Sequence, residues 1–182
     1  HCVHVNEHEI DLLKSTSSNV VHNPESNMGN AVGAAPVLEM MSKGVVVGLG
    51  TDGYTADMFE SLKVANILHK LAKRDPSVSW AEPITMLFEN NANIASSFFN
   101  KTVGRLVPGA LADVIIVNYD PWTPMLADNL GSHIHFGMMG RSVDTTIING
   151  KVVMEERQLV NIDEREILAK SRELANKLWQ RI

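Results

Sequence analysis

The sequence predicts an α/β fold of parallel strands alternating with helices, followed by a small antiparallel β module and a closing helix. Two observations carry that expectation. Apolar runs at residues 1–5, 19–22 and 45–49 are separated by helical stretches, and short strands alternating with helices pair in parallel with both faces covered. After Gly104 the alternation stops, and turn-punctuated strands replace it. The divisions implied are residues 1–102, residues 103–160 and residues 161–182.

His1-Cys2-Val3-His4-Val5 reads as the end of a strand whose body lies upstream, so a longer protein is expected. Asn6, with Glu9 three positions on, opens an apolar-periodic stretch through Ile10, Leu12 and Leu13, the signature of a capped helix. A short strand follows at residues 19–22. Residues 23–33, rich in Asn and Gly and containing Pro24, read as a loop; a helix near residues 36–43 stops at Gly44, and residues 45–49 form a buried strand. Helices are expected at residues 57–73 and 79–99, the second opened by Ser79 with Glu82 three positions on. Pro108-Gly109 marks a turn, residues 113–118 an apolar strand, and residues 145–154 a hairpin about Asn149-Gly150, a dipeptide favoured by type I′ turns. From Asp163, with Glu166 three on, Ile167, Leu174 and Leu178 share one face of a final helix.

With 45% hydrophobic residues, the chain can bury one substantial core, or one core plus a smaller one. The formal charge of -5 is spread without a basic stripe, which excludes the electrostatic footprint of a nucleic-acid binder. A single cysteine, Cys2, excludes an internal disulfide framework and fits a reducing compartment, the cytoplasm. No apolar run approaches the roughly 18 to 20 residues needed to span a membrane. No charged-then-apolar leader precedes a cleavage site either, so neither membrane attachment nor secretion is expected.

His22 closes one strand, Asp52 lies just past another, and His1 would end a third. In parallel α/β architectures that face collects catalytic groups, because the strand-to-helix loops converge there. Taken singly, each also reads as a loop cap or a satisfied core residue. Gly48-Leu49-Gly50-Thr51-Asp52-Gly53 matches the dinucleotide-binding pattern, but that reading would set the Asp52 carboxylate beside a pyrophosphate and lacks the acidic strand end about 20 residues on. The glycines are instead expected to let the backbone crowd a metal site. His133 and His135 form an H-x-H pair that could chelate an ion from one side of a strand. Lying in the β module, far along the chain from Asp52, they read as structural. His4, His8 and His69 fall on polar positions without a visible partner, and Met40, Met41, Met86, Met138 and Met139 read as gap-fillers.

Taken in order, His1-Cys2-Val3-His4, His22-Asn23-Pro24-Glu25-Ser26-Asn27 and Gly50-Thr51-Asp52-Gly53, with 51 residues from His1 to Asp52, resemble the amidohydrolase superfamily in its deaminase and chlorohydrolase branch. Residues 23–33, 50–67, 87–92 and 141–154 look closest to the selenium-metabolism-associated aminohydrolases. The resemblance implies the C-terminal strands and helices of a (β/α)8 barrel over residues 1–102, the C-terminal half of a small β-sandwich over 103–160, and a terminal helix. His1 would end the sixth barrel strand and Asp52 would follow the eighth. Both are implied as catalytic groups and metal ligands, with His22 and Asn27 as substrate-loop candidates. A first-strand H-x-H, a fifth-strand histidine and a general-acid glutamate would lie upstream. The implied cofactor is a divalent metal, zinc or iron. The expected partners are a small-molecule substrate, the upstream half of the same protein and further copies of it.

The implied reaction is hydrolysis of carbon–nitrogen bonds other than peptide bonds, such as deamination of a cyclic amidine or purine-like compound. A divalent ion lowers the pKa of its water, Asp52 takes the proton, His1 holds the hydroxide, and the upstream glutamate protonates the leaving nitrogen. Two loops depart from the branch pattern. Met28-Gly29-Asn30-Ala31-Val32-Gly33 lacks the usual basic residue, and Tyr54-Thr55-Ala56-Asp57 replaces a Ser-Asn-rich turn after Gly53. Both loops face the substrate in relatives. These departures keep open a rival reading, an inactive scaffold of the same family that serves a partner or a metal-cofactor pathway.

Overall fold

Asn6 caps the first helix as its sequence pattern requires. Its side chain accepts from the Glu9 amide at 3.0 Å while the Glu9 carboxylate accepts from the Asn6 amide at 2.7 Å, which satisfies two otherwise orphaned donors at the start of α1 (Glu7–Ser15). The structure, a computed structural model, describes residues 1–181. Next come β1 (Val20–His22), α2 (Pro24–Gly29), α3 (Val37–Ser42), β2 (Val47–Leu49) and α4 (Met58–Lys73). Gly44 takes a φ of +80° just past α3, the left-handed stop that glycine supplies without a Cβ penalty.

β1 and β2 pair in parallel, with Val20 opposite Val47 and His22 opposite Leu49, so both strands run out at the same end. Around them Ile10, Val37, Met40, Leu62, Ala65 and Met86 form the buried core. Burying each larger aliphatic side chain there stabilises the fold by about 1.5–3 kcal/mol relative to exposure.

The structure corrects the sequence reading at several elements. Residues 1–5 form no strand. Residues 23–33 are not loop throughout, because Pro24 sits in the first turn of α2, where its missing N–H costs nothing. Ser79 does not cap the helix after α4: it has a φ of +61° and its buried hydroxyl has no partner among the described residues. That helix starts at α5 (Glu82–Ile84), with Pro83 in its first turn, and widens to a π-helix over Thr85–Asn90 before α6 (Asn91–Phe99).

The π segment brings two consecutive asparagines to the outer edge of β2. Asn90 Nδ2 donates to the Val47 carbonyl at 2.8 Å; Asn91 Nδ2 donates to the Leu49 carbonyl at 2.8 Å and Asn91 Oδ1 accepts from the Leu49 amide at 2.9 Å. Side chains thus stand in for a neighbouring strand. A Cβ on Gly48 would lie 2.4 Å from Asn91 Oδ1, and one on Gly50 would lie 2.4 Å from Asn23 Oδ1. These glycines make room for asparagine side chains, not for a metal site.

β3 (Val114–Val117), β4 (Val143–Ile148), β5 (Lys151–Glu155) and β6 (Gln158–Leu159) form an antiparallel sheet in that order. Asn149 and Gly150 join β4 to β5 with φ values of +50° and +76°, as a type I′ turn demands. α7 (Leu130–Phe136) precedes this hairpin and packs on α4. α8 (Glu164–Trp179) is capped by Asp163, yet Ile167, Leu174 and Leu178 remain half-exposed, so the anticipated apolar face covers nothing among the described residues. No helix among them is long and apolar enough to cross a membrane.

Candidate active site

The parallel register of β1 and β2 brings α2 with its caps, residues 23–30, and a loop, residues 50–57, to one end of the pair. Asp52 sits on the second with a φ of +55°, a region that few residues other than glycine enter and that aspartate tolerates. Such a conformation costs of order 1–3 kcal/mol and persists only where its surroundings hold it. They do here. Gly53 donates its amide to Asp52 Oδ1 at 2.7 Å, Ser26 donates its hydroxyl to Oδ2 at 2.7 Å, and His1 Nε2 stands 3.3 Å from Oδ2. The His1 and Asp52 side chains are each a little under half exposed, at 46% and 44%. Water therefore reaches both.

Asn27, by contrast, is 1% exposed, and its Oδ1 accepts from His1 Nδ1 at 2.7 Å while its buried Nδ2 has no partner among the described residues. In that amide orientation Nδ1 carries a proton, and Nε2 faces the carboxylate. Nε2 and Oδ2, 3.3 Å apart, are placed to share a proton or a cation between them. An imidazole nitrogen and a carboxylate oxygen are both donor types that zinc takes, so the pair fits part of a divalent-metal site. Protein sites use three or four ligands, and among the described residues no cluster of three His, Cys, Asp or Glu could supply them.

A cleft of about 640 Å³ opens beside this pair, lined by His1, Val3, His4, Ser26, Asn27, Asn30, Val32 and Asp52. The structure thus unites His1, Asp52 and Asn27. It also recruits Ser26, which sequence reading passed over although it adjoins Asn27 in the same motif, and His4, which had been read as an isolated polar residue.

His22 does not line the cleft. It is fully buried, with Nε2 3.0 Å from Nε2 of His69 on α4. Burial, reinforced by the neighbouring His69, pushes the His22 pKa down to about 3. Burial, reinforced by Lys73 and opposed by Glu82, pushes His69 down to about 4. Both rings are neutral at ordinary pH, and one donates to the other. His69 therefore has a partner after all.

His133 and His135 lie on α7, not on a strand, and two residues apart on a helix they project to different sides. His133 Nδ1 pairs with Tyr119 Oη at 2.9 Å, and His135 Nε2 pairs with the Trp80 carbonyl at 2.9 Å. A second cavity, about 790 Å³, lies in this region against Tyr119, Trp122, His133 and Phe136, and does not include Asp52.

Comparison with known proteins gives this geometry a context. A family model described as the amidohydrolase family matches residues 1–153. The 5-methylthioadenosine/S-adenosylhomocysteine deaminase of Syntrophomonas wolfei is 41% identical, over 98% of this chain and 42% of its own length. The 5′-deoxyadenosine deaminase of Methanocaldococcus jannaschii is 35% identical, over 96% of this chain and 41% of its own. Among solved structures, an adenosine deaminase from Xanthomonas campestris with bound zinc superposes with a TM-score of 0.85 at 25% identity, covering 99% of this chain and 42% of that one. Guanine deaminase from E. coli gives 0.70 at 28% identity, covering 85% and 38%. The chain thus spans about 42% of the length of the relatives it matches.

Proposed function

Because the chain belongs to the amidohydrolase family, we propose that it supplies the C-terminal barrel strands and sandwich half of a metal-dependent deaminase acting on adenosine-type compounds. One observation carries this reading: the Asp52 carboxylate, held in a left-handed turn by Ser26 and Gly53, meets the His1 imidazole at the mouth of a cleft. Relatives over 35–41% identity that are named for deamination of adenosine derivatives support it.

Asp52 and His1 would hold a divalent ion, zinc or iron, with further ligands from outside these residues. When bound, such an ion supplies the Lewis acidity that makes water nucleophilic near neutral pH. Asp52 takes a proton from the attacking water. The oxygen adds to the purine carbon bearing the exocyclic amine while a second acid protonates the adjacent ring nitrogen; the proton taken by Asp52 passes to the amine, the carbon–nitrogen bond breaks, ammonia leaves, and the oxygen stays on the carbon as a carbonyl, its last proton returning to the second acid. Asn27 orients His1 by accepting from Nδ1, so that Nε2 faces the reacting oxygen. His22, paired with His69, anchors the end of β1 from which α2 departs.

The relatives named above bear on adenosine derivatives, and the reading stops there, short of any role in selenium metabolism. The test is ammonia release by the zinc-loaded and iron-loaded full-length protein from adenosine, 5′-deoxyadenosine and 5′-methylthioadenosine. Release from at least one is expected. A folded, metal-loaded protein that releases none would favour the inactive scaffold.

A further inference from the structure

Asp57 closes the exit loop of β2, and its carboxylate serves two elements at once. Oδ1 accepts from the amides of Phe59 and Glu60 at 3.0 and 3.2 Å, which caps α4. Oδ2 accepts at 2.8 Å from the amide of Gly140, 83 residues further along the chain, in the short helical turn Gly140–Ser142 that leads into β4. Gly140 is fitted to that contact. A Cβ there would stand 2.6–2.7 Å from the carboxyl carbon and both its oxygens, and no left-handed φ calls for glycine. The loop that ends at Asp57 also carries Asp52. Its near end is fixed by the Gly50 amide, which donates to the His22 carbonyl at 2.8 Å, and the Asp52 carboxylate is held by Ser26. Beyond these the loop is thinly covered, since Asp52, Gly53, Tyr54 and Ala56 are all exposed. A left-handed residue in a segment with so little packing keeps its place only if both ends of the segment are held. Asp57 holds the far end, and its amide, donating to Thr55 Oγ1 at 2.8 Å, carries that hold back toward Asp52.

We propose that Asp57 is a positioning residue for Asp52: by capping α4 and latching the Gly140 amide at once, it ties the far end of the Asp52 loop to the segment that enters β4. The antiparallel sheet thereby takes part in placing the carboxylate. The inference rests on the reading of Asp52 as metal ligand and base.

The test uses the full-length protein and two separate readouts: kcat and KM for 5′-deoxyadenosine at saturating zinc, and zinc affinity by competition with a chelator. Asparagine caps a helix about as well as aspartate but has one acceptor oxygen, so in Asp57→Asn the amide nitrogen meets the Gly140 N–H donor to donor. Asp57→Gly removes the latch and costs little as a cap. Each variant is expected to lower kcat about tenfold with KM within about twofold, and to weaken zinc about tenfold, the low end for loss of a group that supports a metal ligand. Gly140→Ala must displace the carboxylate, so it should lower kcat and zinc affinity in the otherwise wild-type protein and change neither in the Asp57→Gly background. That coupling marks a direct contact, and a general loss of stability would not produce it. Unchanged kcat and zinc affinity in both Asp57 variants, a rise in KM alone, or equal effects of Gly140→Ala in the two backgrounds overturns the proposal and leaves the deaminase reading standing. Wild-type protein that releases no ammonia from the nucleosides named above removes the deaminase reading, and zinc affinity then decides the role of Asp57 by the same comparisons.

Discussion

Lowering the pH from 7.5 to 5 should destabilise the protein steeply through the His22–His69 pair. Each imidazole has an ordinary pKa near 6.5 once unfolded, against about 3 for His22 and about 4 for His69 in the fold. Below 6.5 the unfolded chain takes up protons that the buried pair refuses, so the stability from keeping both rings neutral is fully present above 6.5 and drains away as the pH falls toward 4. At 1.36 kcal/mol per pH unit and per group, the loss by pH 5 is about 2 kcal/mol for each ring and about 4 kcal/mol for the pair. That is a large part of a typical total of roughly 5–15 kcal/mol. Urea unfolding midpoints of the full-length protein at pH 7.5, 6.5, 5.5 and 5 measure it, with His69→Gln as the comparison. Glutamine can still donate toward His22 but does not titrate, so the pH slope between 6.5 and 5 should fall by about half. Parallel curves for variant and wild type would refute the assignment of that slope to this pair.

Asp52→Asn should lower turnover by about 10²–10⁴-fold, the range for loss of a general base, with bound metal measured in the same samples; near-normal turnover would end its role as base. His1→Asn should reduce turnover more than metal content, because His1 faces the reacting oxygen more than it holds the ion; complete loss of the ion would instead make His1 a ligand as important as Asp52. Ser26→Ala removes one of the two hydrogen bonds that hold the Asp52 carboxylate, so kcat should drop about tenfold with thermal unfolding little changed; an unaltered kcat would show the turn holds without it. Replacing both His133 and His135 by alanine should leave metal content and kcat within about threefold of wild type while lowering stability by roughly 1–3 kcal/mol per lost buried hydrogen bond. Metal loss there, seen by elemental analysis, would reveal a site in α7.

Elements whose signals are local were legible in the sequence. The Asn6–Glu9 capping box, the Gly44 stop, the Asp163 cap and the Asn149-Gly150 turn each depend on residues within four positions of one another, and each forms. The Asp52 strand end was legible for a related reason, since a short apolar run followed by Gly-Thr-Asp-Gly marks both the strand and its exit loop. Signals set by distant partners were not. Ser79 matches a cap, yet the chain turns left-handed there and Asn66 donates to its carbonyl, a contact 13 residues away that no local pattern encodes. His69 looks like a polar helix position until α4 is laid on β1 and brings it to His22, 47 residues earlier.

The glycines divide along the same line, and they show why a motif can be right in place and wrong in reason. Gly48 and Gly50 flank Leu49 in a pattern that suggests close approach of some group to the backbone, and close approach is what the fold contains. The groups are Asn91 and Asn23, which the sequence places 43 and 27 residues away from those glycines and which only the π-helix of residues 85–90 and the turn after β1 bring into contact. Glycine spacing records where space is needed; what fills it is decided by tertiary structure. Gly29 follows the same logic: its space is filled by Tyr54, a side chain from the loop that carries Asp52, 25 residues further along the chain.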